Sequence, residues 1–264
     1  MPIPFTKAHG AGNDFLVTPA DQVPDVDLSS TARAICDRHT GIGADGWILI
    51  RGKAIRLFNA DGSEPEISGN GTRCVAALLI EAERSAGRTL DQVTIQTGAG
   101  PKHLRLLESE GRRFLFEMNM GTPEFDVREI RCNLPLAAGP QEVTILDVGN
   151  PQCVVFVDRF PENWEALGAE IEGHRRFPRR TNVSFVRVID AHTIETRFYE
   201  RGAGVTLSSG TGSTGAAAAA ILRKVAASPV TVQTPAGESL QLRWDNSVYL
   251  IGPAEIIGSG EFYG

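Results

Sequence analysis

Ser68-Gly-Asn-Gly-Thr running into the apolar stretch Val75-Ala-Ala-Leu-Leu-Ile, and Ser209-Gly-Thr-Gly-Ser running into Ala216-Ala-Ala-Ala-Ala-Ile-Leu, are one pattern written twice. Each reads as a glycine-rich turn that opens a helix. The unpaired N–H groups and positive dipole end of a helix start hold a carboxylate or phosphate, and glycine lets a ligand approach the backbone closely. A serine heads both turns. Serine is also among the best N-cap residues, so Ser68 and Ser209 read either as caps alone or as caps that also do chemistry.

The repetition reaches beyond these turns. Val93-Thr-Ile-Gln-Thr-Gly-Ala-Gly returns as Val230-Thr-Val-Gln-Thr-Pro-Ala-Gly, and Gly12-Asn13 returns as Gly149-Asn150, each pair 137 positions apart. Phe58-Asn59 and Tyr199-Glu200 precede their respective serines by equal intervals. Two copies at so long a period exclude a solenoid or propeller and predict two versions of one structural unit related by an approximate twofold.

Short stretches rich in Val, Ile, Phe and Thr predict strands near residues 47–50, 55–58, 93–97, 114–119, 143–148, 154–157, 183–188, 193–199, 230–233 and 248–251, punctuated by Gly, Pro, Asn and Asp. Helical stretches are few, near 29–38, 74–84, 163–168 and 215–224. The expected fold is α/β (α+β): two pseudo-symmetric lobes, each a curled, mostly antiparallel sheet around a central helix. The second such helix, from Ala216 to Leu222, is apolar all round, as a fully enclosed helix must be. The expected lobes are 1–118 and 119–255, with 256–264 rejoining the first and crossovers near 117–121 and 252–255. Facing lobes would aim both helix starts into one cleft.

A chain of 264 residues has length for about two domains at roughly 150 residues each. A net charge of −6 with scattered Lys and Arg argues against a nucleic-acid surface. The richest basic run, His174-Arg-Arg-Phe-Pro-Arg-Arg, reads as a solvated loop. No apolar run approaches the ~20 residues of a membrane span, and Met1-Pro-Ile-Pro-Phe-Thr lacks the basic and apolar regions of a signal peptide. The expectation is a cytoplasmic protein without membrane contact. The cysteines at 36, 74, 132 and 153 have no metal-ligand or redox spacing. Cys74 and Cys153 read as small buried hydrophobes, and no metal site is expected.

Gly10-Ala-Gly-Asn-Asp-Phe, Thr40-Gly-Ile-Gly-Ala-Asp-Gly, Phe58-Asn-Ala-Asp-Gly-Ser-Glu, Gly69-Asn-Gly-Thr-Arg-Cys, Gly149-Asn-Pro, Thr181-Asn-Val and Glu200-Arg-Gly-Ala-Gly together resemble the signature blocks of the diaminopimelate epimerase family, in order and spacing over essentially the whole chain. The resemblance implies that family's two-lobed fold, a site without cofactor, and a small amino-acid substrate carrying carboxylates. Members of the family invert one α-carbon between LL- and meso-diaminopimelate, a step toward lysine and cell-wall precursors, and are often homodimers. By the same resemblance Gly69, Asn70, Gly210 and Thr211 grip a carboxylate. Asn13, Asn59, Asn150, Asn182, Glu200 and Arg201 hold the amino groups and the distal carboxylate, where a planar Arg binds bidentately. Taken singly, Asn and Gly in such blocks are ordinary turn formers. Asp14, Asp45 and Asp61 read as turn or capping residues.

The departure is at the chemistry. Where the family has two cysteines, one a thiolate base and one a thiol acid, this chain has Ser68 and Ser209. A thiol titrates near 8.5 and lower at a helix start, whereas a serine hydroxyl needs a neighbouring base to act. Gln152 occupies the family's histidine position and cannot take and return a proton as imidazole does. Val205 stands where the family has Glu. Ser68, Ser209 and Glu200 are therefore the candidate proton-transfer residues, with Gln152 in the binding set. Three readings follow: an epimerase working through the serines with Glu200, an isomerase or lyase of the same fold, or a ligand-binding paralogue that keeps the grips alone.

Overall fold

A computed structural model describes residues 2–264. Two compact units divide the chain: residues up to Met118 together with Gly252–Gly264, and Asn119–Ile251. Residues 252–255, expected in the second lobe, thus group with the first.

In chain order the first unit carries β1 (Ile3–Gly10), β2 (Asn13–Pro19), α1 (Leu28–Cys36), β3 (Gly46–Arg51), β4 (Ala54–Asn59), α2 (Gly69–Ser85), β5 (Gln92–Thr97), β6 (Gly100–Glu110) and β7 (Arg113–Gly121). There follow β8 (Cys132–Leu136), β9 (Gly139–Asp147), β10 (Pro151–Phe156), α3 (Trp164–Glu172), β11 (Asn182–Asp190), β12 (Thr193–Glu200), β13 (Gly204–Thr206), α4 (Gly210–Leu222), β14 (Val230–Gln233), β15 (Ser239–Trp244) and the long β16 (Val248–Phe262). In the first unit the strands follow one another from β1 to β7, and β16 returns between β7 and β1 to close the ring.

The internal repeat is visible in the ladders. β1–β2 and β9–β10 are antiparallel; β2–β3 and β10–β11 are parallel; β3–β4 and β11–β12 are antiparallel; β4–β5 and β12–β14 are parallel. β5–β6 and β14–β15 complete the match as antiparallel hairpins. Each parallel pair needs a crossover, which α1, α2, α3 and α4 supply in turn.

Two kinds of helix result. α2 and α4 are enclosed: α4 is buried from Gly210 to Ala220 and α2 from Gly69 to Ala77. α1 and α3 are amphipathic covers. α1 buries Ala32, Ile35 and Cys36 against Leu16, Trp47 and Phe58, and α3 buries Trp164 and Ile171 against Val155, Val183 and Phe185. Trp47 donates Nε1–H to Thr18 Oγ1 at 2.9 Å, which satisfies the one polar atom of that wholly buried ring.

Both central helices start at the glycines, several residues before the sequence expectation. Glycine reads locally as a breaker, but here it is what enclosure requires. A Cβ on Gly71 would lie 2.9 Å from Ile48 Cδ1, and one on Gly212 would lie 2.8 Å from Phe198 Cδ1. The chain passes from one unit to the other at 118/119 and 251/252, at the expected crossovers, and does so within β7 and β16. Pro253 falls in the gap between the β15 ladder, which ends at Ile251, and the β1 ladder, which begins at Glu255, so its missing N–H interrupts neither of them. The basic run 174–180 is a pinned loop: His174 Nε2 lies 3.0 Å from the Pro135 carbonyl, Arg176 pairs with Glu129, and Arg180 with the buried Glu172. Among the described residues no helix is long and apolar enough to cross a membrane.

Candidate active site

In the first unit the candidate residues sit at strand and helix ends. Asn13 opens β2, Asn59 closes β4, and Ser68 caps α2 by accepting from Gly71 N at 3.1 Å. Asn70, wholly buried, accepts from Arg73 Nη2 at 2.5 Å and donates to Asn13 Oδ1 at 3.1 Å; Asn13 in turn donates to Asp45 Oδ2 at 2.6 Å. The relay fixes both amides: the Asn13 carbonyl is held by Asn70 and one Asn13 N–H by Asp45. The second Asn13 N–H has no partner among the described residues and is a donor, the complement of a carboxylate.

Arg73 was not singled out by sequence reasoning. The signal was present, a charge inside an apolar, enclosed helix. Its guanidinium is fully buried and also donates to the carbonyls of Pro253 at 3.1 Å and Gly69 at 3.3 Å, so its positive charge lies within one turn of the helix start. Asp14 and Asp45 are not the turn or capping residues expected. They form a cluster with Arg38, at 2.8 and 2.7 Å, and Lys7, 3.0 Å from Asp14. Burial opposes ionisation of Asp14, but Arg38 and Lys7 outweigh it and hold its carboxyl below the usual aspartate range; burial and the neighbouring Asp14 push Asp45 up. Asp61 does serve its turn, accepting from Ser63 Oγ and N. Asn59 joins that turn by donating to Ser63 Oγ at 3.0 Å, and not the Asn13–Asn70 relay.

The second unit repeats the frame with different chemistry. Ser209 caps α4, accepting from Gly212 N at 3.0 Å, and donates its own proton to Glu200 Oε2 at 2.7 Å. Glu200 Oε1 accepts from Thr206 Oγ1 at 2.7 Å. A carboxylate held by two hydroxyls therefore backs Ser209. Thr206, on β13, is a further residue that sequence reasoning passed over. Ser68 has no such partner, because the position matching Glu200 is Asn59; among the described residues its hydroxyl meets only Gly71 N.

Beside Ser209, Gln152 Nε2 donates to Asn150 Oδ1 at 2.7 Å and Asn150 Nδ2 to Thr211 Oγ1 at 3.3 Å. This second relay leaves the Thr211 proton available at the start of α4. Gln152 is fully enclosed and its Oε1 has no hydrogen-bond partner among the described residues. Asn182 accepts from Arg201 N at 3.1 Å and donates to the Pro151 carbonyl at 3.0 Å, while Arg201 Nη1 reaches the Arg179 carbonyl at 3.2 Å. The candidates thus form three groups: Asn13 with Asn70, Glu200 with Ser209, and Asn150 with Gln152 and Thr211. Asn182 bonds to Arg201.

The four cysteines are all free, and burial pushes the Cys74 thiol, one turn into α2, up to about 12 and Cys153 higher still.

The sequence model of the family described as diaminopimelate epimerase matches residues 5–125 and 144–257. Diaminopimelate epimerase of Pelotomaculum thermopropionicum is 39% identical, covering 98% of this chain and 98% of its own length; that of Microcystis aeruginosa is 41% identical, covering 98% and 99%. In fold, the chain is similar to a hydroxyproline epimerase from Agrobacterium vitis solved with trans-4-hydroxy-L-proline (TM-score 0.72, 15% identity, 98% of this chain and 92% of that one), and to a methylitaconate delta-isomerase (TM-score 0.61, 14% identity, 99% and 95%). A family model that matches most of the chain and full-length identity near two residues in five leave one assignment: the chain belongs to the diaminopimelate epimerase family.

Proposed function

We propose that the protein is a cofactor-independent epimerase acting at the α-carbon of diaminopimelate or a close diamino diacid, with hydroxyls in place of thiols. The Ser209–Glu200 hydrogen bond at 2.7 Å carries this reading. As Ser209 Oγ takes the α-proton, its own proton passes to Glu200, so no free alkoxide is required. Ser68 Oγ–H supplies a proton to the opposite face as a bound water passes one to Ser68 Oγ, and the hydroxide so formed is neutralised by the proton that Glu200 releases to water. The carbanion's charge spreads into the substrate carboxylate, where the N–H groups of Gly69, Asn70, Gly210 and Thr211 stabilise it as it develops. Asn13, Asn59, Asn150, Gln152, Asn182 and Arg201 would orient the remaining amino and carboxylate groups.

The lack of a carboxylate beside Ser68 favours a second reading, proton transfer at one face only, as elimination or isomerisation needs. Incubation with LL-diaminopimelate in deuterium oxide separates the two. Inversion with deuterium at the α-carbon supports the epimerase; loss of water or ammonia supports the lyase. Thermal stabilisation with neither change identifies a binding protein and sinks both.

A further inference from the structure

The second unit holds a cavity of about 520 Å³, bordered by Thr206. Its walls are Glu195–Arg197 of β12, Trp164 and Glu165 in the first turn of α3, the arm Val205–Leu207, and the β14–β15 turn. Arg197 sets it apart. The guanidinium stacks on Phe160 at 4.5 Å and on Trp164 at 5.5 Å, yet among the described residues it has no hydrogen bond and no carboxylate partner. The other arginines stacked on rings all have acceptors: Arg56 on Glu64, Arg84 on Ser109, Arg223 on Glu142 and Arg243 on Asp245. Arg197 is therefore a fixed cation with an unspent fork of donors.

A second observation points to the same place. Asp27, Ser68 and Ser209 each cap their helix with a side-chain oxygen, whereas Asn163 makes no such bond to α3, whose first turn lines the cavity. Of the carboxylates on the walls, Glu195 is committed to Arg187 and Glu238 is engaged, but Glu165 has no partner among the described residues. One free guanidinium and one free carboxylate thus flank the same Trp164. Val205 and Leu207, 45% and 53% exposed, with Pro235, add an apolar wall.

We propose that this cavity is a second binding site, for the zwitterion of an α-amino acid with an apolar side chain. The ligand's carboxylate meets the Arg197 fork and the Glu165 and Ala166 N–H groups at the start of α3, whose first N–H, that of Trp164, is held by the Pro161 carbonyl at 3.1 Å; its ammonium meets the Glu165 carboxylate, and its side chain covers Val205 and Leu207. Thr206, between those two residues, holds the Glu200 carboxylate, so an occupant touches the arm that fixes Glu200. That coupling rests on the function proposed above; the binding does not.

Calorimetric titration of the whole protein with L-leucine, L-phenylalanine and glycine tests it. One saturable site is expected for L-leucine or L-phenylalanine, with glycine weaker. Arg197→Gln should weaken binding about tenfold or more and Glu165→Gln about threefold. Should Arg197→Gln fail to fold, Arg197→Lys, which loses the planar fork but keeps the charge, takes its place. No saturable heat up to about 10 mM, or an affinity unchanged in both variants, overturns the proposal. So does loss of binding in Ser209→Ala, since it would put the ligand at the helix start. Exchange of LL-diaminopimelate in deuterium oxide, with and without L-leucine, reads the coupling; absent exchange with intact L-leucine binding refutes the reaction alone.

Discussion

Replacing Glu200 by Gln keeps the shape of the side chain and removes its basicity. Glu200 holds two hydroxyl protons, from Ser209 and Thr206, each at 2.7 Å. A glutamine can still accept one through Oε1 but turns its NH2 toward the other hydroxyl, which must rotate to accept, so two charge-assisted bonds become neutral ones. Conformational stability should fall by about 1–2 kcal/mol, which leaves the fold intact. The chemical cost is larger. A positioned base contributes about 10²–10⁴ in rate, or about 3–5 kcal/mol of barrier. Loss of the α-proton of LL-diaminopimelate in deuterium oxide, followed by proton NMR under saturating substrate, should slow by that factor in kcat. KM should change less, because the helix-start grips are untouched. A Glu200→Gln rate within about fivefold of the native rate would refute the Ser209–Glu200 relay and return Ser209 to a purely capping role.

Other expectations follow from particular contacts. Gly212→Ala forces a methyl to 2.8 Å from Phe198 Cδ1 and 2.9 Å from Ser209 Oγ; it should cost about 1–3 kcal/mol in thermal unfolding and depress exchange, whereas Gly258→Ala, with nothing near its Cβ, should do neither. Asp14→Asn should destabilise by about 2–3 kcal/mol at pH 7 through loss of Lys7 and Arg38. Because the native Asp14 carboxyl lies below its ordinary 3.8, the stability it contributes is present above that value and is lost as pH falls through the lowered native one. Melting curves of the two proteins should therefore converge below pH 3.8; a constant gap would show that the ion pairs are not its source. Native protein should expose at most one thiol to a disulfide exchange reagent at pH 8, the half-buried Cys132, and four after denaturation; rapid labelling of Cys74 would contradict its enclosure.

The first-unit relay could not have been read from the sequence. Arg73, Asn70, Asn13 and Asp45 are spread over sixty positions, and which amide oxygen faces which donor is settled only when β2, β3 and α2 come together. The long β16 was hidden for a similar reason: Gly252-Pro253 punctuates a strand locally, and it takes β1 and β15 as successive partners to show that the strand continues. Strand β6, with its Lys, His, Arg and Glu, carries too few apolar residues to announce itself, though alternate positions are buried.

What the sequence by itself determined is the duplication, the two serine-headed helix starts and the apolar helices behind them. These are periodic or repeated features, and a repeat leaves its mark in the chain whatever the fold does with it. What only the tertiary structure decided is that the two starts are chemically unequal. Ser209 is bonded to a carboxylate and Ser68 is not, because the strand ends at Asn59 and Glu200 deliver different side chains to matching places. Hydrogen-bond partnership depends on distances of about 3 Å, which spacing along the chain does not fix until the sheets have formed.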